Sequence, residues 1–147
     1  MQEEPFYSGG LKFECQRCSR CCRHEPGYVF LSKRDLSALR RTTRTDEEDF
    51  LELYCRVVHI AGTSRLSLKE KSNYDCIFWE DGECLVYGAR PLQCRSYPFW
   101  SPFLINRKTW DDLEKDCPGV NRGRLHRRRE IDDWLERRWE DPFITTY

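Results

Sequence analysis

Apolar positions recur along this chain in short, interrupted runs, and each run predicts a small element. Ser32 is followed three residues later by Asp35, with Leu31 and Leu36 at the flanking apolar positions. That is a capping box with a hydrophobic staple, and it predicts a helix from Ser32 to about Arg41. A short extended piece, Tyr28-Val29-Phe30-Leu31, leads into it. Thr45 with Glu48 reads as a second capping box, and Asp46, Glu47 and Glu48 suit the positive end of a helix dipole. Phe50, Leu53, Tyr54, Val57 and Val58 then recur at spacings of three and four, the apolar face of an amphipathic helix that carries Cys55.

Other stretches alternate. Arg65-Leu66-Ser67-Leu68-Lys69 predicts a short edge strand, and Leu11-Lys12-Phe13 a short strand near the start. Cys76-Ile77-Phe78-Trp79 and Cys84-Leu85-Val86-Tyr87 flank Glu80-Asp81-Gly82-Glu83. Asp-Gly is a strong tight-turn signal, so this reads as a hairpin with a cysteine on each arm. Pro91 suits the first position of a short helical turn. A charged helix is expected over about 124–140, with Ile131, Trp134, Leu135 and Trp139 as its stripe and Pro142 ending it.

Composition narrows the class. The chain has 147 residues, 39% hydrophobic and 34% charged, which is one domain's worth with a modest core. Aromatics at 14%, five of them Trp, argue against disorder. Basic and acidic residues number 25 each, so no net charge draws the chain toward nucleic acid or an anionic membrane. The opening MQEEPFYSGG shows neither a basic nor an apolar signal region. The longest apolar stretch, from Tyr97 to Ile105, is too short to span a bilayer. The chain is expected to be cytoplasmic, where thiols stay reduced.

Nine cysteines change the picture most. Cys15, Cys18, Cys21 and Cys22 form a C-x2-C-x2-C-C run, and Cys76, Cys84, Cys94 and Cys117 are the distant members. A C-x2-C turn brings two sulfurs to one side of a tight loop, and the remaining ligands must come from distant chain. Eight thiolates suffice for two four-cysteine sites of zinc or iron, a [4Fe–4S] cluster included. Two zinc sites of this kind would carry about −4 in total. The spacing points to metal without naming it: the run departs from the ferredoxin pattern, and the second pair is too widely spaced for a zinc ribbon. Because neighbouring side chains in extended backbone point apart, Cys21 and Cys22 are expected to serve different sites, or one of them to be a packing cysteine. One division sets Cys15, Cys18 and Cys21 with Cys94, and Cys22 with Cys76, Cys84 and Cys117. Cys55 reads instead as a small buried hydrophobe.

Together these features predict a small α+β, metal-nucleated single domain over residues 1–147, with about three helices, a short cysteine-bearing hairpin and much irregular structure. Arg90 and Arg95 are placed to donate charge-assisted hydrogen bonds to sulfur, and His24 to act as a donor or a substitute ligand. Arg17 and Arg20 read as solvated. Tyr97-Pro98-Phe99-Trp100 reads as packing over the metal region, a dry shell that would tune a redox centre. His59 is expected in the core. In the tail, Arg124, Arg127, Arg128 and Arg129 interleave with Glu130, Asp132 and Asp133, the pattern of a salt-bridged solvated face more than of a nucleic-acid surface. That face could serve a protein partner.

The ordered set of cysteines, with Gly82-Glu83-Cys84-x2-Tyr87-x2-Arg90-Pro91-x2-Cys94-Arg95-x-Tyr97-Pro98-Phe99 and Cys117-Pro118-Gly119, resembles the YkgJ-type cysteine-cluster proteins, also described as a zinc- or iron-chelating domain. The resemblance covers about residues 13 to 120. It implies metal chelation and kinship with the cysteine-rich region of flagellin lysine methylases, in which an iron–sulfur centre is suspected. Those enzymes are much longer. One departure is Ser19, where members often carry Gly after the second cysteine. Two functions are therefore expected to compete. One is a metal-binding protein stapled by zinc or iron. The other is an iron–sulfur-dependent enzyme, or a component of one, acting in protein modification, with methyl transfer as the family analogue.

Overall fold

A computed structural model of the chain describes residues 4–16 and 28–145. In chain order the elements are β1 (Leu11–Phe13), α1 (Lys33–Thr43), α2 (Glu47–Tyr54), β2 (Cys55–Ile60), β3 (Thr63–Leu68), β4 (Trp79–Glu80), β5 (Glu83–Cys84), α3 (Leu92–Ser96), α4 (Arg107–Asp112), β6 (Val120–His126) and α5 (Arg128–Glu140). The strands pair antiparallel as three two-stranded sheets, β1–β6, β2–β3 and β4–β5. The class is small α+β, as expected. The described residues hold five helices against the three anticipated, because α3 and α4 are too short to leave a periodic stripe in sequence.

The described residues fall into two compact units, one of 4–16 with 96–140 and one of 28–95 with 141–145. The second unit is built on α1, α2 and the β2–β3 hairpin. At the start of α1, Ser32 Oγ accepts from Asp35 N–H at 3.1 Å and Asp35 Oδ2 accepts from Ser32 N–H at 3.0 Å, so the capping box is complete. The staple residues Leu31 and Leu36 are both buried in this unit's core with Leu39, Phe50, Leu66 and Phe78. The extended piece before the helix lies beside β3, with Leu31 N–H donating to Leu66 O and Leu68 N–H to Val29 O, both at 3.0 Å.

Helix α2 corrects the sequence reading at both ends. Its cap is Asp46, whose Oδ1 accepts from Asp49 N–H at 2.8 Å; the Thr45 hydroxyl is engaged with that of Thr43 at 2.7 Å. It stops at Tyr54, and Cys55–Ile60 turns into strand β2. The β-branched Val57, Val58 and Ile60 suit a strand better than a helix. Ala61 and Gly62 both take positive φ, 48° and 80°, the two-residue turn that joins Ile60 to Thr63. Over so short a window the spacing of three and four could not distinguish the two. In consequence His59 stands exposed on β2 beside the Ser64 hydroxyl at 2.7 Å, and is not a core histidine.

The first unit closes around Leu11, Phe99, Trp110, Val120 and Ile131, all buried. Phe99 stacks on Trp110 at 5.5 Å, and Trp110 Nε1 donates to Asn121 Oδ1 at 2.9 Å. Strand β1 forms as predicted, and its partner is β6, a strand where a helix was expected to begin at about Arg124. Leu11 and Lys12 face His126 and Leu125, after which the register jumps so that Phe13 faces Val120. The tail helix starts only at Arg128. Ile131 is buried and Trp134 and Leu135 pack against the core, but Trp139 is 87% exposed and does not belong to the stripe.

Candidate metal centre

In the second unit, Cys76, Cys84 and Cys94 are half-buried. The Cys76 carbonyl accepts from Trp79 N–H at 2.9 Å, closing a turn that leads into β4. Asp81 and Gly82 take φ of 48° and 85°, the two left-handed positions that a tight hairpin turn requires, and they set Cys84 opposite Trp79. The predicted hairpin is therefore present, with one correction. Only Cys84 lies on a paired arm; Cys76 sits three residues before β4, in an isolated bridge with Glu70. Both cysteines pack on the edge of this unit's core.

Cys94 is carried by α3. Pro91 precedes the helix and its carbonyl accepts from Cys94 and Arg95 N–H, at 2.9 and 3.0 Å. Pro91 thus caps the turn from one position before its first helical residue. Two side chains hold this helix. Asp35 Oδ1 accepts from Leu92 N–H at 3.0 Å. Gln93 accepts from Phe30 N–H at 3.0 Å and donates to Tyr28 O at 2.7 Å.

In the first unit, Cys15 is exposed, and the preceding Glu14 N–H donates to Gly119 O at 3.2 Å. Cys117 is 8% exposed and opens a turn in which its carbonyl accepts from Val120 N–H at 3.2 Å. Pro118 occupies the second position of that turn, where its fixed φ fits. Cys18, Cys21, Cys22 and His24, with Arg17, Arg20 and Arg23, lie outside the described residues. Among the described residues, no three His, Cys, Asp or Glu side chains converge as a metal-holding group.

Arg90 lies 3.8 Å over the Tyr87 ring and donates from Nε to Tyr87 O at 3.0 Å, while Arg95 Nε donates to Arg90 O at 3.1 Å. Tyr97, joined to Pro98 by a cis peptide, meets Phe13, Trp100 and Phe103 edge-on. The 97–100 stretch is thus aromatic packing, as its composition suggested.

Cys55 differs from the clustered cysteines. It is 6% exposed within the core of the second unit, and burial pushes its thiol up to about 12, with the nearby Lys69 charge acting in the opposite direction. A thiol held protonated in this way is a packing group and a poor ligand. The tail charges pair as expected, Arg124 with Glu130 at 2.7 Å and Arg128 with Asp132 at 3.4 Å, both solvent-exposed and worth little.

Sequence reasoning did not single out His126. Its Nε2 lies 2.9 Å from Phe13 O, its ring lies 5.0 Å from that of Phe99, and its Nδ1 is 3.5 Å from Glu130 Oε2. The i, i+4 spacing to Glu130 was the sequence signal, a faint one in so charged a tail.

The donor set suits a soft or borderline cation. Thiolates bind Zn²⁺ and iron–sulfur clusters, and Cys76, Cys84, Cys94 and Cys117 sit beside a turn or within a short helix, while Cys15 follows β1. The model of the CxxCxxCC family, "Putative zinc- or iron-chelating domain", matches residues 14–118, and the chain belongs to that family. No solved structure matches the chain. No helix among the described residues is long and apolar enough to cross a membrane.

Proposed function

We propose that this protein chelates zinc or iron through the thiolates of Cys15, Cys18, Cys21, Cys22, Cys76, Cys84, Cys94 and Cys117, and that the bound metal helps hold the fold together. The observation that carries this reading is the contrast among the cysteines. Cys76, Cys84, Cys94 and Cys117 flank tight turns or a short helix and Cys15 stands exposed just beyond β1, whereas Cys55 is sealed in a core. Small cores benefit most from such staples, and binding free energy is then folding free energy. The metal would supply the cross-links. The chain's own part is to present the thiols, with Arg90 and Arg95, which flank Cys94 in sequence, as candidate hydrogen-bond donors to sulfur. In this reading the protein works in a reducing compartment.

A second reading is an iron–sulfur-dependent enzyme, or a component of one, acting in protein modification. What favours it is the aromatic surrounding of Cys117, which packs in one cluster with Phe99 and Trp110. A dry, aromatic shell raises or lowers the potential of a redox centre.

Anaerobic purification with zinc, iron and sulfide measured per chain, and an absorption spectrum alongside, tests both. About two zinc, no sulfide and no visible band is the result expected for the first reading. About four iron and four sulfide with a broad visible band would move the second reading to first place. A metal-free, fully folded protein would overturn both. Cys18→Ser is expected to lose metal and thermal stability together.

A further inference from the structure

The geometry points to Cys15 and Cys117 as ligands of one and the same metal ion, brought together by a backbone contact that only a glycine at position 119 allows. The inference rests on the reading that the clustered cysteines chelate metal, and it differs from the division expected from sequence, which set these two cysteines in separate sites.

Three observations within the first unit carry it. The β1–β6 ladder ends with Phe13 opposite Val120, and one further bond, Glu14 N–H to Gly119 O at 3.2 Å, continues it. A Cβ on Gly119 would clash with Glu14 O and lie 3.0 Å from Glu14 C, so the Glu14–Cys15 peptide rests directly on the glycine backbone. Finally, the turn opened by Cys117 folds back, with Val120 N–H donating to Cys117 O at 3.2 Å, and Cys117 is buried in the cluster against which Phe13 packs.

These contacts set the reach. Gly119 and Cys117 are two residues apart, at most about 7 Å, and Cys15 is one peptide beyond the contact at Glu14. A metal ion would join thiolates from these two neighbouring segments through Zn–S bonds of about 2.3 Å. No other pair of clustered cysteines among the described residues of this unit is available, since it holds only these two. The exposed Cys15 offers an entry side for the ion and the buried Cys117 a dry one.

The test is a double-variant comparison on the full chain. Wild type, Cys15→Ser, Cys117→Ser and the double variant are loaded anaerobically with Co²⁺ alone, and bound cobalt per chain is read from the thiolate charge-transfer band and from metal analysis. Each single variant should lose the same one ion, and the double variant should lose no more than either. A double variant that loses two ions, or a single variant that keeps the wild-type complement, overturns the shared site and leaves metal binding standing. A wild type that binds no cobalt overturns the metal-binding reading itself. Should a variant fail to fold, wild-type protein gives a second measurement. With a chelator titrated in, alkylation of Cys15 and Cys117, mapped by mass spectrometry, should rise at one common midpoint. Separate midpoints would overturn the proposal.

Discussion

The carboxylate of Asp35 accepts the backbone N–H of Leu92 at 3.0 Å across 57 residues of sequence, while its other oxygen closes the capping box of α1 on Ser32. One buried side chain, 4% exposed, thereby caps α1 and anchors the start of the helix that carries Cys94. Asp35→Ala would strand two buried N–H donors. The expected loss is about 2–4 kcal/mol, seen as a lowered midpoint in thermal or urea unfolding. Asp35→Asn keeps one acceptor and should lose roughly half as much. An Asp35→Ala variant of wild-type stability would show that this carboxylate is not what holds α3.

The shape of the Asp81-Gly82 turn makes a separate prediction. Gly82 has φ of 85° and nothing within 4 Å of an added Cβ, so Gly82→Ala meets backbone strain alone. It should cost about 1 kcal/mol, and Asp81→Asn, equally at home in this turn, should cost almost nothing. Equal losses for the two substitutions would refute the turn assignment.

Gly119 lies under a backbone carbonyl that cannot move like the end of a flexible side chain. Gly119→Ala should therefore cost about 2 kcal/mol or more and should speed hydrogen exchange at the Glu14 amide, whose N–H donates to Gly119 O. Hydrogen exchange by mass spectrometry on the peptide containing Glu14 is the check. Retained protection there would mean the chain passes Gly119 by another route.

Two groups make the protein sensitive to alkali. Burial, followed by the hydrogen bond to Asp132 at 2.7 Å, raises the Tyr7 hydroxyl to about 12, and burial raises Cys55 to about 12. Both are neutral when protonated and both titrate higher in the folded than in the unfolded chain. Their contribution to stability is thus complete below pH 9 and falls as pH rises from about 9 (Cys55) or 10 (Tyr7) toward 12. Melting temperature measured across that window should fall less steeply in Tyr7→Phe and Cys55→Ala than in wild type. At pH 8 Cys55 should resist alkylation until the protein unfolds; rapid native labelling would contradict its burial.

The legible parts of this protein were those whose cause is local. Ser32 and Asp35 announced α1 because a capping box closes within four residues, and Asp81-Gly82 announced its turn because few residues accept left-handed backbone. The missed parts depended on distant chain. Val57 and Val58 fitted a helical stripe by spacing, yet pairing with Leu66 and Arg65 made them a strand. Arg124, Leu125 and His126 looked like the first turn of a charged helix. They became a strand because Leu11 and Lys12, more than a hundred residues earlier, supply the partner edge.

By itself, the sequence determined the family and the candidate ligands, since the order and spacing of cysteines are read directly along the chain. It also determined the caps and tight turns, whose hydrogen bonds join neighbours. Only the tertiary structure decided which thiols flank a turn at the edge of a core and which is sealed inside one. It alone set the peptide before Cys15 against Gly119, where the absence of one Cβ decides how closely two backbones pass. Such contacts join residues remote in sequence, and a strand's partner and a thiol's burial both follow from them.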